Sequence, residues 1–167
     1  MKCASERIGL LVFCVNRELF AIPLTCVNRV VRAVERTPVP DASAYIEGLI
    51  NVHGQIYSVI NTAVRLGFNR CPIRLSDKMI LLNTVLSTVL LVNNLMGVYT
   101  VSGDELIQRD RVVPEFNCVD AIMKLNGQIV MILDQEEFSG CVLPQPSSGN
   151  QSSIESSYCK YPRDRHS

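Results

Sequence analysis

The sequence contains no tryptophan and few other aromatic residues, which limits how its interior can be built. Aromatic residues make up 6% of the 167 residues, whereas hydrophobic residues make up 47%. The core must therefore consist mainly of Val, Ile and Leu, side chains that favour β-strands. The longest apolar region, residues 79–92, is too short and too often interrupted by polar residues to cross a bilayer.

The sequence also lacks an excess of either charge, because sixteen Lys and Arg balance sixteen Asp and Glu. This balance removes the basic surface expected of a protein that binds nucleic acid or anionic membranes. The seven cysteines are odd in number and form no C-x-x-C pair, which indicates free thiols. The apolar run 9–15 is too short for a signal peptide. We expect a soluble cytoplasmic protein with no nucleic-acid partner and no direct membrane insertion.

A segment that occurs twice organises the rest of the chain. Residues 45–61 recur as residues 118–134, with Gly-Gln-Ile identical in both copies and apolar residues matching elsewhere. Each copy reads as a strand, a tight turn and a strand. The turn pairs, His-Gly at 53–54 and Asn-Gly at 126–127, place glycine where a two-residue hairpin turn needs a positive φ.

A weaker repeat precedes each hairpin. Sliding the sequence by 69 positions places residues 10–15 on 79–84 and residues 20–22 on 89–91. The duplication therefore covers each half, and we predict a mainly β protein made of two small antiparallel β-barrels packed side by side.

The predicted subdomains span about 8–70 and 77–134, with ends that can exchange between the barrels. Asn61 is a predicted N-cap of a short helix that Gly67 ends, and residues 135–138 are predicted to start a second helical turn. The segment 141–167 is rich in Ser, Pro and polar residues and cannot bury enough apolar surface to fold alone. We interpret it as a flexible tail, with docking through Tyr158 and Tyr161 as the alternative.

Few side chains offer catalytic chemistry. Of the two histidines, His166 lies in the tail and His53 in a hairpin turn, where it is either an exposed polar residue or a partner contact rather than a catalyst. Cys14, Cys26 and Cys118 lie in apolar runs and read as small core residues.

The remaining candidates for chemistry also have simpler explanations. The acidic cluster Asp134, Glu136 and Glu137 suits the start of a helix, where the dipole favours negative charge. No nucleotide-binding or zinc-hydrolase motif occurs. We therefore expect no enzymatic activity, no cofactor and no metal, with a cryptic cysteine nucleophile as the remaining enzymatic alternative. A duplicated β protein without a reaction centre is suited to binding other proteins.

Several segments of the sequence resemble a known family, the CheW-like domain. Bacterial chemotaxis adaptors share this domain with the regulatory domain of the histidine kinase CheA. The most specific match is PVP at 38–40 followed by YIEGLINVHG at 45–54, which is similar to P-x-x-P…[YF]-[IV]-x-G-[IV]-x-N-L-R-G. Weaker matches lie in residues 11–13, 20–23, 27–30 and 96–101.

The resemblance implies a fold of two SH3-like five-stranded barrels over residues 8–140 and a non-catalytic function. The domain would couple the cytoplasmic tip of a methyl-accepting chemoreceptor to the regulatory domain of a CheA-type kinase. The positions that the resemblance assigns to partner binding are Val27, Arg29, Gly48, Asn51, His53 and Gly54.

The sequence departs from the family pattern at four of its positions. Arg29 replaces a Glu, His53 replaces an Arg, Ser58 replaces a Pro, and Asn61 replaces an Asp. An attractive Glu-Arg pair would thereby become two groups that repel when His53 is protonated. The alternative function is therefore a diverged interaction or dimerisation module that has lost kinase coupling.

Overall fold

The computed structural model describes residues 6–108 and 118–140, and most of these residues lie in β-strands. The predicted tail, 141–167, lies outside the described residues. The strands are β1 (Arg7–Val15), β2 (Glu18–Pro23), β3 (Val27–Arg32), β4 (Ile46–Val52), β5 (Gln55–Asn61), β6 (Lys78–Leu82), β7 (Thr88–Val92), β8 (Asn94–Ser102), β9 (Ile107–Gln108), β10 (Val119–Leu125) and β11 (Gln128–Leu133). The helices are α1 (Thr62–Arg65) and α2 (Gln135–Gly140), and 3-10 turns occupy Leu24–Cys26 and Gly103–Glu105.

The strands form two sheets, which confirms the predicted mainly β fold. One sheet has six strands in the order β8-β1-β2-β11-β10-β9, and the other has five in the order β3-β6-β7-β5-β4. The pairing is not antiparallel throughout, because β11 runs parallel to β2 and β5 runs parallel to β7. The extra strand of the larger sheet, β9, is only two residues long.

Each sheet takes strands from both predicted segments of the chain. The hairpin β1–β2 lies in the six-stranded sheet with β8 to β11, whereas the hairpin β6–β7 lies in the five-stranded sheet with β3 to β5. The bounds 8–70 and 77–134, with ends that can exchange between the barrels, stay a prediction. A pattern of apolar residues shows that a hairpin is buried, but it does not show which sheet the hairpin joins.

Three clusters of buried residues explain this arrangement. One cluster fills the six-stranded sheet, a second fills the five-stranded sheet, and the third, which we call the common core, contains residues from both sheets. In both hairpins successive side chains alternate between the sheet's own cluster and the common core. The buried members of the common core are Leu11, Phe13, Val15, Phe20, Ile22, Ile60, Ile80, Leu82, Leu90, Val92, Val119, Ile122, Leu133 and Phe138.

The strand register corrects the weaker sequence repeat by one residue. Leu11 pairs with Ile22 across the first hairpin, and Ile80 pairs with Leu90 across the second, with all four in the common core. The shift is 69 positions from Leu11 to Ile80 but 68 from Ile22 to Leu90. Because side chains alternate faces along a strand, a uniform shift of 69 puts β7 residues on the wrong face.

The local signals in the repeated hairpin are confirmed. His53 and Gly54 have φ values of 52° and 85°, and Asn126 and Gly127 have 49° and 79°. Positive φ at both central residues is what a type I′ turn requires, and its twist matches that of the flanking strands.

The predicted helix start is also confirmed. Asn61 caps α1, because its side-chain oxygen accepts a hydrogen bond from the Val64 N–H at 3.1 Å. Asp134 occupies the corresponding place before α2 and accepts from the Glu136 N–H at 3.0 Å. Both caps satisfy N–H groups that the first turn of a helix leaves without a partner.

Truncating a side chain of the common core should destabilise both sheets together. Phe20 is 2% exposed, and its ring lies 6.3 Å from that of Phe13 and 6.4 Å from that of Phe68. We expect Phe20→Ala to lower the free energy of unfolding by about 3–5 kcal/mol, measured by urea denaturation followed by circular dichroism. Ile129→Ala, at a side chain that is 60% exposed, is the control and should change it little. Two separate unfolding transitions would contradict a common core.

Candidate functional site

Most of the residues predicted to bind partners gather at one end of the five-stranded sheet. Val27, which begins β3, pairs with Leu82 at the end of β6. Because β5 and β7 are parallel, the turn at 53–54 and the loop at 83–87 that precede them lie at this same end. We call this surface the loop end: Val27 and Arg29 of β3, the turn 53–54 and the loop 83–87.

The loop 83–87 joins the two edges of the loop end. At one side the Asn83 N–H donates to the Cys26 carbonyl oxygen at 2.7 Å, next to the start of β3. At the other side the Ser58 N–H donates to the Ser87 carbonyl oxygen at 2.9 Å, and the Gln55 side-chain amide donates to the Ser87 hydroxyl at 3.0 Å. The loop is therefore hydrogen-bonded to residues that flank both groups of predicted site residues.

The loop presents an apolar side chain that the sequence did not single out. Val85 is 85% exposed, although it lies between two strands whose side chains are mostly buried. In the sequence its polar neighbours look only like an interruption of a long apolar region. The distinguishing signal is a valine at the centre of a short loop that also contains Asn83, Thr84 and Ser87.

Asn51 and Gly54 stabilise the hairpin turn between them. The Asn51 side-chain oxygen accepts a hydrogen bond from the Gly54 N–H at 2.8 Å, which closes the turn at His53. Asparagine often stabilises a turn by bonding to the backbone a few residues along the chain. This pair explains the Asn-x-x-Gly spacing by local geometry, and contact of either residue with a partner stays a prediction.

Gly48 lies within β4, away from the loop end. Its φ is 137°, and a Cβ atom here would lie 2.4 Å from the Thr37 carbonyl oxygen. Thr37 approaches because its backbone exchanges two hydrogen bonds with Leu49, each of 2.8 Å. The fold therefore requires glycine at position 48, and the predicted binding role of this residue stays a prediction.

Arg29 and His53 are both exposed and available to a partner. They belong to opposite edges of the sheet, since β3 is one edge strand and the turn at His53 ends the other, β4. In the described part of the chain neither side chain forms a hydrogen bond or an ion pair. Three strands lie between these edges, so the strand order does not pair Arg29 directly with His53.

The departure at Asn61 from the family's Asp has a local explanation. The Asn61 side-chain amide donates to a Glu47 carboxylate oxygen at 2.7 Å while its oxygen caps α1. Glu47 also forms an ion pair with Arg70, in the linker that follows α1. An aspartate could cap the helix but could not donate to Glu47, so asparagine fits this neighbourhood better.

The cysteines differ in exposure. Among the described residues, Cys26 is buried, Cys14 and Cys118 are half-buried, Cys71 is exposed, and none forms a disulfide. Burial raises the pKa of the Cys26 thiol, and a contact with the Thr25 hydroxyl offsets part of that rise. A raised pKa reduces the fraction of reactive thiolate at neutral pH.

The described residues bear on two properties, metal binding and the crossing of a membrane by a helix. Within residues 6–108 and 118–140, no three His, Cys, Asp or Glu side chains are grouped so that they could hold a metal ion. The helices described in the structure are all too short to cross a bilayer. The exposed groups at the loop end are an arginine, a histidine, amides and a valine, which suit contact with another protein.

Comparisons with known proteins agree with this fold. Residues 9–140 match the family model of the CheW-like domain. The chain is 22% identical over 141 residues to the chemotaxis protein CheW of Treponema pallidum, covering 80% of this chain and 83% of that protein. It is 24% identical over 132 residues to the chemotaxis protein CheW of Thermotoga maritima, covering 78% and 87%.

A solved structure has the same fold. The crystal structure of the scaffolding protein TtCheW from Thermoanaerobacter tengcongensis superposes with a TM-score of 0.72 at 23% sequence identity. The match covers 77% of this chain and 90% of that one.

Substitution of Gly48 should test the close approach of Thr37. We expect Gly48→Ala to lower the free energy of unfolding by more than about 3 kcal/mol, because a strained φ is combined with a backbone clash. Gly54→Ala is the control, since its φ is also positive but no atom lies within 4 Å of the added Cβ. It should cost only about 1–2 kcal/mol. Equal losses in urea denaturation would contradict the clash.

Thiol labelling should separate the cysteines by burial. At neutral pH we expect a maleimide to modify Cys71 quickly and Cys26 slowly, as measured by mass spectrometry of the digested protein. Modification of Cys26 should accelerate as the pH rises towards its raised pKa, because only the thiolate is nucleophilic. Rapid labelling of Cys26 at neutral pH would instead support the alternative of a cysteine nucleophile.

Proposed function

Because the chain belongs to the CheW-like domain family and is a non-catalytic scaffold protein of chemotaxis signalling, we propose that it couples a chemoreceptor to a CheA-type histidine kinase. Its partners would be the regulatory domain of the kinase and the cytoplasmic tip of a methyl-accepting chemoreceptor. It would act in the cytoplasm at the inner face of the membrane. The observation that carries this proposal is the loop end, which brings most of the predicted binding positions together.

The electrostatics of the loop end favour a partner with acidic groups. Arg29 and Arg32 are exposed on β3, and His53 is exposed at the turn. The segments 26–32, 51–55 and 81–88 contain no Asp or Glu; an acid outside them, Glu136 of α2, adds to burial in raising the pKa of the Cys26 thiol. Complementary charge at an interface increases the association rate and disfavours wrong partners. Since Arg29 stands where the family has an acid, the matching kinase or receptor should carry an acid opposite it.

A second candidate function follows from the same departure. If Arg29 and His53 no longer match a kinase, the fold would serve as an interaction or dimerisation module without kinase coupling. The charge reversal at Arg29 is the observation that favours this candidate. The two candidates differ in their partners, so binding measurements distinguish them.

Reversal of charge at Arg29 should weaken binding to the CheA-type kinase that this protein couples. We expect Arg29→Glu to raise the Kd for the kinase regulatory domain about two- to fivefold at low salt, because exposed ion pairs contribute modestly. The matched control is Arg74→Glu, which changes the same charge in the linker before β6, at the opposite end of that strand. Isothermal titration calorimetry measures both.

Additional variants and partners complete this test. His53→Arg, which restores the family residue, should strengthen binding to a kinase domain of the common family type. If the wild-type protein binds neither the kinase domain nor a receptor-tip fragment, the coupling function is wrong. A dimer detected by light scattering would then support the second candidate.

A further inference from the structure

We propose that Val85 is the apolar anchor of the loop end, and that it inserts into an apolar pocket rimmed by acidic groups on the folded regulatory domain of the kinase. This inference rests on the proposed function and names the side chain through which that surface gains affinity. Interfaces commonly depend on a few residues near the centre that are surrounded by polar contacts; Trp, Tyr and Arg are the commonest of these, so a valine in this position contributes mainly by apolar burial.

The exposure of Val85 is fixed by the hairpin that carries it. The strand residues on either side of the loop, Leu81 and Leu82 before it and Thr88 and Val89 after it, are all buried. Leu82 lies in the common core, and Leu81 and Val89 lie in the cluster inside the five-stranded sheet. Val85 therefore cannot become buried within the protein unless the hairpin β6–β7 is displaced from the core. A valine held in solvent in this way gains free energy when a partner covers it.

The loop is also held in shape before any partner binds. The Thr84 hydroxyl donates to the Leu86 carbonyl oxygen at 2.5 Å, directly across Val85. The bonds to Cys26, Ser58 and Gln55 fix both ends of the loop. Preorganisation reduces the entropy lost when an interface forms, so a small side chain can contribute more to affinity.

One of these bonds depends on a residue in which this chain departs from the family pattern. The Ser58 N–H donates to the Ser87 carbonyl oxygen at 2.9 Å. A proline at position 58, as in the family pattern, has no N–H and could not form this bond. Serine in place of proline at position 58 therefore allows a hydrogen bond that stabilises the loop carrying Val85.

The shape and charge of the loop end favour a folded domain over a helical receptor tip. An amphipathic helix binds in an apolar groove of its partner, whereas Val85 is a protruding side chain that needs a pocket on the other protein. Val85 has Arg29 on one side of the loop end and His53 on the other, with no acid in the contributing segments. A pocket with acidic groups at its rim would complement both features.

The test compares Val85 with a matched exposed residue. Leu75 is 89% exposed and lies in the linker before β6, whereas Val85 lies in the loop after it, so the two occupy opposite ends of one strand. The variants are Val85→Asp, Val85→Ala, Leu75→Asp and Leu75→Ala in the full chain. Each is titrated by calorimetry against the kinase regulatory domain and against a receptor-tip fragment.

We expect Val85→Asp to raise the Kd for the kinase domain about tenfold or more, and Val85→Ala to raise it less. Both Leu75 variants should bind as the wild type does. None of the four should change the thermal unfolding midpoint by more than a degree or two, because both side chains are exposed.

The remaining outcomes would overturn the inference. If Val85→Asp binds the kinase domain as tightly as the wild type, or weakens binding only to the receptor tip, Val85 is not the kinase anchor. Loss of a homodimer without loss of kinase binding would assign Val85 to self-association instead. Failure of the wild type to bind the kinase domain is a separate result, because it refutes the proposed coupling itself and this inference with it.

Discussion

Burial of two hairpins on both of their faces is the constraint on which the rest of the structure depends. All five residues of β7 are buried, and β1 contains four consecutive buried residues. In each of the hairpins β1–β2 and β6–β7, one face fills its own sheet and the other contributes to the common core. Neither sheet can separate from the other without exposing this second face, so the two sheets form one stable unit.

The few aromatic residues are concentrated in the common core. Phe13, Phe20 and Phe138 are buried there, and Phe68 packs against them. The interiors of the two sheets are mainly aliphatic, as the composition predicts, with Tyr57 as an addition in the five-stranded sheet. The guanidinium of Arg65 in α1 lies 5.4 Å from the centre of the Tyr45 ring and the same distance from that of Phe138 in α2. This cation–π contact joins the helices that follow the two copies of the repeated hairpin.

The same constraint shapes the candidate binding surface. Because β6 and β7 are buried on both faces, the loop between them is held in place and Val85 is held in solvent. Three residues of the family motif have structural roles instead: Asn51 and Gly54 close a turn, and Gly48 allows the backbone of Thr37 to approach β4. The exposed groups that remain to determine partner specificity are Arg29 and His53, which depart from the family pattern, and Val85, which lies outside it. A match to the motif therefore identifies the fold more securely than the partner.

The sequence by itself determined the local features: the repeated hairpin with its positive-φ turns, the helix cap at Asn61, and a β fold with an interior that is largely aliphatic. These features depend on interactions within a few residues of the chain, so the residue types reveal them. Tertiary structure alone decided that the two hairpins exchange between sheets, that β7 is shifted by one residue in the repeat, and that Val27, His53 and Val85 share one end of a sheet. A strand that is apolar on both faces does not indicate which neighbour each face will meet. Only the packing of the whole chain against the common core settles that choice.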